Sequence, residues 1–140
     1  MSASPEYPVV EFAFPGPLRD KLVAAILDGS KTSTTSTLVE YAVEDEPLPV
    51  VGTRQAVIDS DDERVAVIET TSVEIARLGD VDLQHALDEG EGYSTVAEWR
   101  AAHDRYWQSE PMRAYLGDDA FTVDDDTAVV LERFRLVEKL

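Results

Sequence analysis

Apolar positions along this chain fall into short segments whose period changes from one to the next. Leu18, Leu22, Ala25 and Ile26 recur at helical spacing, with Pro17 at a first-turn position and Gly29 suited to end the helix. From Thr32 to Tyr41 the run is β-branched and hydroxyl-rich, which predicts a strand, and the acidic, proline-containing stretch Glu44 to Pro49 predicts a loop. Arg54 to Ile58 and Arg64 to Thr71 read as the two strands of a hairpin joined by the polar stretch Asp59 to Glu63, with Val73 to Ala76 continuing or bending the second strand. Leu83, Ala86 and Leu87 predict a short helix ending in the glycine-punctuated segment Glu89-Gly90-Glu91-Gly92. Thr95 and Glu98 have capping-box spacing, and Val96, Trp99, His103, Tyr106 and Trp107 then lie along one face of a helix of about three turns. A short helix from Pro111 to Tyr115 and a terminal strand from Ala128 to Val137 complete the series.

At the start, Pro5 and Pro8 break up short apolar stretches, so residues 1–13 are expected to form an extended arm and residues 14–140 a single domain. Strands with helices inserted between them, without repeated strand-helix-strand units, predict an α+β fold: a small mixed sheet or β-barrel surrounded by helices.

Composition narrows the function classes. The 140 residues include no cysteine, which removes disulfides, thiolate metal sites and a cysteine nucleophile, and suits a reducing, cytoplasmic setting. No export signal and no membrane-spanning apolar run are read from the sequence. A formal net charge of −17 repels polyanions and disfavours broad nonspecific binding to DNA or RNA, but leaves room for a single nucleotide or modified base in a locally positive cleft.

Candidate chemistry concentrates in Gly29-Ser30-Lys31-Thr32-Ser33-Thr34, where a cation and several hydroxyls sit at a helix-to-strand junction. Such a group can hold a carbonyl, a phosphate or a base edge, and a desolvated lysine can move protons. It is not a phosphate loop, because the second glycine and the preceding strand are missing. Glu89 and Glu91 place two carboxylates on a glycine-flexed backbone, a pair able to share acid-base work when their environments differ. With His85 as the only other imidazole, His103 has no matching ligand cluster, and neither a metal nor another cofactor is expected.

The order of these features resembles the ASCH domain family. Gly-x-Lys-Thr-x-Thr follows an N-terminal helix; then come Leu-Pro-x-x-Gly at Leu48 to Gly52, the Glu-Gly-Glu-Gly segment, Trp99-Arg100-x-x-His103 and a terminal strand. The likeness spans roughly residues 14 to 138 and is to the longer bacterial branch. It implies a PUA-like barrel with helices around it and a cleft lined by Lys31, Thr32, Thr34 and Glu89, with Ser33 alongside, Tyr93 and Trp99 as a wall and His103 as a polar neighbour. It also implies a nucleoside, nucleotide or RNA ligand. Some members of the short branch hydrolyse the acetyl amide of N4-acetylcytidine with a Lys/Thr/Glu set that matches Lys31, Thr34 and Glu89. A metal-independent ribonuclease and a binding module without chemistry are the alternatives, the former needing a positive strip from residues such as Arg54, Arg64, Arg77 and Arg100. The chain departs from the short branch at Thr35-Ser36-Thr37, where a basic residue is common, and in the helix that carries Trp99 and His103.

Overall fold

A computed structural model describes residues 7–140; residues 1–6 of the expected arm lie outside the described residues. Among the described residues eleven segments of regular structure follow one another: β1 (Val9–Val10), α1 (Pro17–Asp28), β2 (Ser33–Thr37), α2 (Leu38–Glu44), β3 (Arg54–Ile58), β4 (Arg64–Arg77), a 3-10 turn (Leu78–Asp80), α3 (Leu83–Asp88), α4 (Val96–Trp107), α5 (Glu110–Leu116) and β5 (Ala128–Lys139). The strands form one five-stranded sheet in the order β1-β3-β4-β5-β2, with β1 parallel to β3 and every other pair antiparallel. The α+β reading holds. The barrel does not: among the described residues the edge strands β1 and β2 do not pair, and the sheet stays open. With two residues, β1 is too short to carry a ladder across to the far edge.

The β-branched run splits where a single strand was expected. Ser33–Thr37 is extended, but the chain turns helical at Leu38 because Thr37 N and Thr37 Oγ1 both donate to Glu40 Oε2, at 2.7 and 2.8 Å. This cap outweighs the modest strand preference of Val39 and Tyr41. Thr37→Ala is therefore expected to cost about 1 kcal/mol and to fray α2, read out as a lower melting temperature with the sheet intact.

Elsewhere local chemistry sets the boundaries. Gly29 ends α1 with φ 87°, a conformation glycine adopts without Cβ strain. Asp59 Oδ1 accepts from the amides of Asp61 and Glu63 and so shapes the β3–β4 turn. β4 runs unbroken to Arg77 with a register shift between Thr70 and Ser72, so the stretch around Val73 to Ala76 continues the strand.

Two apolar clusters hold these parts together. One packs Leu22, Val23 and Ile26 of α1 with Phe12, Val57, Ile68 and Phe134; the other packs Trp99 and Trp107 of α4 with Leu78, Ala86, Met112 and Val129. The buried Arg19 guanidinium fixes the incoming chain, donating to the carbonyls of Phe12, Ala13 and Asp59 and to Glu11. Among the described residues no helix is long and apolar enough to cross a membrane.

Candidate functional site

Two short connections, the turn after α1 and the segment after α3, meet at one place. After Gly29 the backbone is pinned by Lys31 N donating to Ala25 O at 3.0 Å, and Thr32 N donates to Asp88 O at 2.8 Å. This brings the end of α3 against the start of β2. Gly90 makes the contact possible: with φ 72°, it lies so close to the Ser30–Lys31 backbone that a Cβ would sit 2.7 Å from Lys31 N. α3 itself begins under an Asp82 cap, whose Oδ1 accepts from His85 N at 2.9 Å. His85 and Glu89, one helical turn apart, then point the same way.

Glu89, 1% exposed, is the centre of a clamp. Its Oε2 accepts from Thr35 Oγ1 at 2.7 Å and from Trp99 Nε1 at 2.9 Å. Its Oε1 lies 3.3 Å from His103 Nε2 and 3.6 Å from Lys31 Nζ. The Thr35 hydroxyl has one hydrogen, and a carboxylate can only accept, so Thr35 spends that hydrogen on Glu89. His85 Nε2, 2.8 Å from the same hydroxyl, must therefore be a donor. Lys31, 2% exposed, completes its shell by donating to Ser33 O at 2.9 Å and Glu89 O at 3.4 Å.

Burial alone would push Glu89 up, but the hydrogen bonds from His103 and His85 and the charges of Lys31 and His103 hold it well below the usual carboxylate range. Glu91 moves the other way, because burial dominates there and the Glu89 charge adds to it. Burial opposes a charged His103, yet its bond to Glu89 and the charges of Glu89 and Glu91 raise it above its ordinary value. Burial and the same acids push the Tyr93 hydroxyl up to about 12, so it stays a neutral donor. Its bond reaches Glu91 Oε1 at 3.4 Å.

The clamp opens onto a cavity of about 940 Å³. Of the residues singled out in the sequence, Lys31, Thr34, Glu89, Glu91, Tyr93 and His103 line it, and Thr34 makes no hydrogen bond to Lys31 or Glu89 among the described residues. Thr32, Ser33 and Trp99 stand behind the surface: Thr32 acts through its backbone, Ser33 Oγ donates to His85 O at 2.9 Å, and the Trp99 indole is turned to Glu89. Thr35 and His85 belong to the clamp without having been singled out. Alternation along β2, with Ser33, Thr35 and Thr37 buried and Thr34 and Ser36 less so, is the signal that separates Thr35 from Thr34.

Ligand atoms of Glu89, Glu91 and His103 lie within 4.8 Å of one another, close enough to share a cation. The Lys31 ammonium already supplies positive charge beside Oε1, and both Oε2 bonds are made, so the set is an ion-pair network as it stands. The arginines named for a polyanion strip are engaged elsewhere: Arg54 with Glu69, Arg64 with the Tyr7 carbonyl, Arg77 with Asp80 and Asp126, and Arg100 with Asp104 and Asp125.

The fold has counterparts among known proteins. Protein EF3133 of Enterococcus faecalis matches with a TM-score of 0.80 and 28% identity, over 94% of this chain and 77% of that one. An ASCH domain from Lactobacillus crispatus matches with a TM-score of 0.75 and 27% identity, over 94% and 82%. A variant of an ASCH protein from Zymomonas mobilis shares the fold alone, at a TM-score of 0.53 and 11% identity over 94% of this chain and 73% of that one. No curated protein matches the chain. The ASCH domain model matches residues 11–138, and with the same fold found in solved ASCH domains, the chain belongs to the ASCH domain family.

Proposed function

We propose that the protein hydrolyses the amide of a modified nucleoside, of the N4-acetylcytidine kind, in the cleft of Lys31, Thr34 and Glu89. The family is in general RNA-associated, and the short-branch chemistry resembles what these residues can do. The observation that carries the reading is the buried Lys31–Glu89 pair, 3.6 Å apart, set in the wall of a cavity of about 940 Å³ that has aromatic sides. A buried ammonium held by fixed acceptors can stabilise the oxyanion that forms when an amide carbonyl is attacked, with no reorganisation during the reaction. Thr34 also lines the cavity, and in this reading its hydroxyl orients the attacking water or the acyl group. Tyr93 and Tyr106 provide faces for a base to stack on.

Charge favours a free nucleoside over a phosphorylated or polymeric one. Seven glutamates line the cavity against two full cations, Lys31 and Arg19. The Arg19 guanidinium is already spent on three carbonyls and Glu11, which leaves Lys31 alone to meet a phosphate.

Wild-type protein, Lys31→Ala and Thr34→Val are to be incubated with N4-acetylcytidine, its 5′-monophosphate and a short unstructured RNA, with products resolved by mass. Cytidine and acetate are expected from the nucleoside, falling about 10²–10³-fold in Lys31→Ala as for loss of an oxyanion donor. Thr34→Val, which keeps the buried ion pair, checks that the loss is not merely unfolding. RNA fragments would move the assignment to a ribonuclease, and ligand protection in thermal melts without product would make the cleft a binding module.

A further inference from the structure

We propose that His103 is the proton carrier of this cleft, taking a proton at Nε2 from the attacking water and returning it to the leaving nitrogen. The assignment rests on the hydrolase reading above. Its support is the different environment of the two ring nitrogens. Nδ1 lies 2.8 Å from the Trp99 carbonyl oxygen, which can only accept, so Nδ1 keeps its hydrogen in both protonation states. Titration is thereby confined to Nε2. That atom lies 3.3 Å from Glu89 Oε1 and 4.0 Å from Glu91 Oε2, and the ring lines the cavity.

The ring is also held in place. It stacks on Trp99 with centroids 4.3 Å apart, leans on Trp107 at 5.3 Å and meets Tyr93 edge-on at 6.2 Å. The charged and titratable groups facing it are Glu89, Glu91 and Tyr93 from the segment after α3, and Lys31 across Glu89 from the turn after α1. Neither neighbour competes for the role. Glu89 is a weak base, because Oε2 already accepts two hydrogen bonds and Oε1 faces the Lys31 ammonium. Lys31 is tied to two backbone carbonyls and serves the developing oxyanion.

As the water oxygen bonds to the acyl carbon, its proton passes to Nε2 and the carbonyl electron pair moves to the oxygen beside Lys31. Collapse re-forms the carbonyl, breaks the C–N bond and passes the proton from Nε2 to the departing nitrogen. The products are the free amine and acetic acid, and no further reactant is needed. Since the neutral ring starts the cycle, turnover must rise with pH through the titration of His103, which Glu89 and Glu91 set above its ordinary 6.5.

The test pairs kcat against pH on N4-acetylcytidine with ¹⁵N imidazole shifts of the same protein. The acid limb of the wild type is expected to share its midpoint, above 6.5, with a titration at Nε2, and Glu91→Gln is expected to lower both together. His103→Gln should cut kcat by about 10²–10⁴-fold, leave KM nearly unchanged and abolish the limb. A limb that persists in His103→Gln, a midpoint that does not follow the ring in Glu91→Gln, or titration at Nδ1 overturns the role of His103 and leaves the hydrolase reading standing. Absence of wild-type turnover at every pH overturns the hydrolase reading, and the role of His103 falls with it, whatever the imidazole shifts show.

Discussion

Truncating Glu89 to alanine is expected to destabilise the fold by about 3–5 kcal/mol, the usual cost of breaking a buried ion pair. The change strips Lys31 of its carboxylate partner, takes from Trp99 Nε1 and Thr35 Oγ1 their acceptor, and leaves a charged His103 facing Glu91 alone. Urea unfolding measures it, and the double variant Lys31→Met, Glu89→Leu should be less destabilised than the sum of its singles, because it removes both charges together. Strict additivity would mean the pair is not coupled. The same clamp shapes the pH dependence. Glu89 is depressed below its ordinary 4.5, so its contribution is complete above that value and is lost as pH falls through the folded-state pKa. His103 is raised above 6.5, so its contribution is complete below that value and is lost as pH rises through the folded-state pKa. Stability from the clamp is therefore greatest between about 4.5 and 6.5, and Glu89→Gln should flatten both flanks. Flanks unchanged in Glu89→Gln would show that other groups set them.

Gly90→Ala is the second large effect, on the order of 3 kcal/mol or more. The new methyl would lie 2.7 Å from Lys31 N, Ser30 C and Ser30 O, all of them backbone, while φ 72° adds its own strain. Relief requires parting the end of α3 from the turn after α1, which the Thr32 N to Asp88 O bond opposes. Any such shift moves Glu89 relative to Lys31, and misplacement of about 1 Å can cost roughly 10²-fold in turnover. Gly92→Ala is the control, since φ is 88° there but nothing lies within 4 Å of where its methyl would sit. It should lose only the left-handed strain, about 1–2 kcal/mol. Equal losses in the two variants would mean that packing against Ser30 and Lys31 carries no weight.

These expectations bear on ligand choice as well as stability. A carboxylate-rich cavity whose two cations, Lys31 and Arg19, are both paired within the fold differs from the basic grooves that track a polynucleotide backbone. The arginines on the outside do not compensate, because Arg54, Arg77 and Arg100 each sit in ion pairs with acids. Membership of an RNA-associated family and selection of an unphosphorylated ligand are compatible when the unit recognised is a single base with its sugar.

Much of this architecture was legible in the chain itself. Helical spacing with Pro17 and Gly29 marked α1, the Thr95 cap marked α4, and short strand-like stretches rich in Val, with Ile in β3 and Leu and Phe in β5, marked those two strands, because each depends on residues within a few positions of one another. Lys31 and Glu89 were recognisable from motif order. α2 was equally local, its Thr37-x-x-Glu40 cap lying in plain sequence, but the strand preference of the surrounding residues obscured it. The partners of Glu89 were a different matter. Thr35 is 54 positions from Glu89, and Trp99 and His103 lie on another helix, so which of their atoms reach the carboxylate depends on how α3, α4 and β2 pack. Whether the sheet closes was likewise decided by long-range pairing between its edge strands. The sequence by itself determined the local elements and the residue types available for chemistry; only the tertiary structure decided which donors surround one buried carboxylate, because hydrogen bonding and desolvation act over a few ångströms in space and not along the chain.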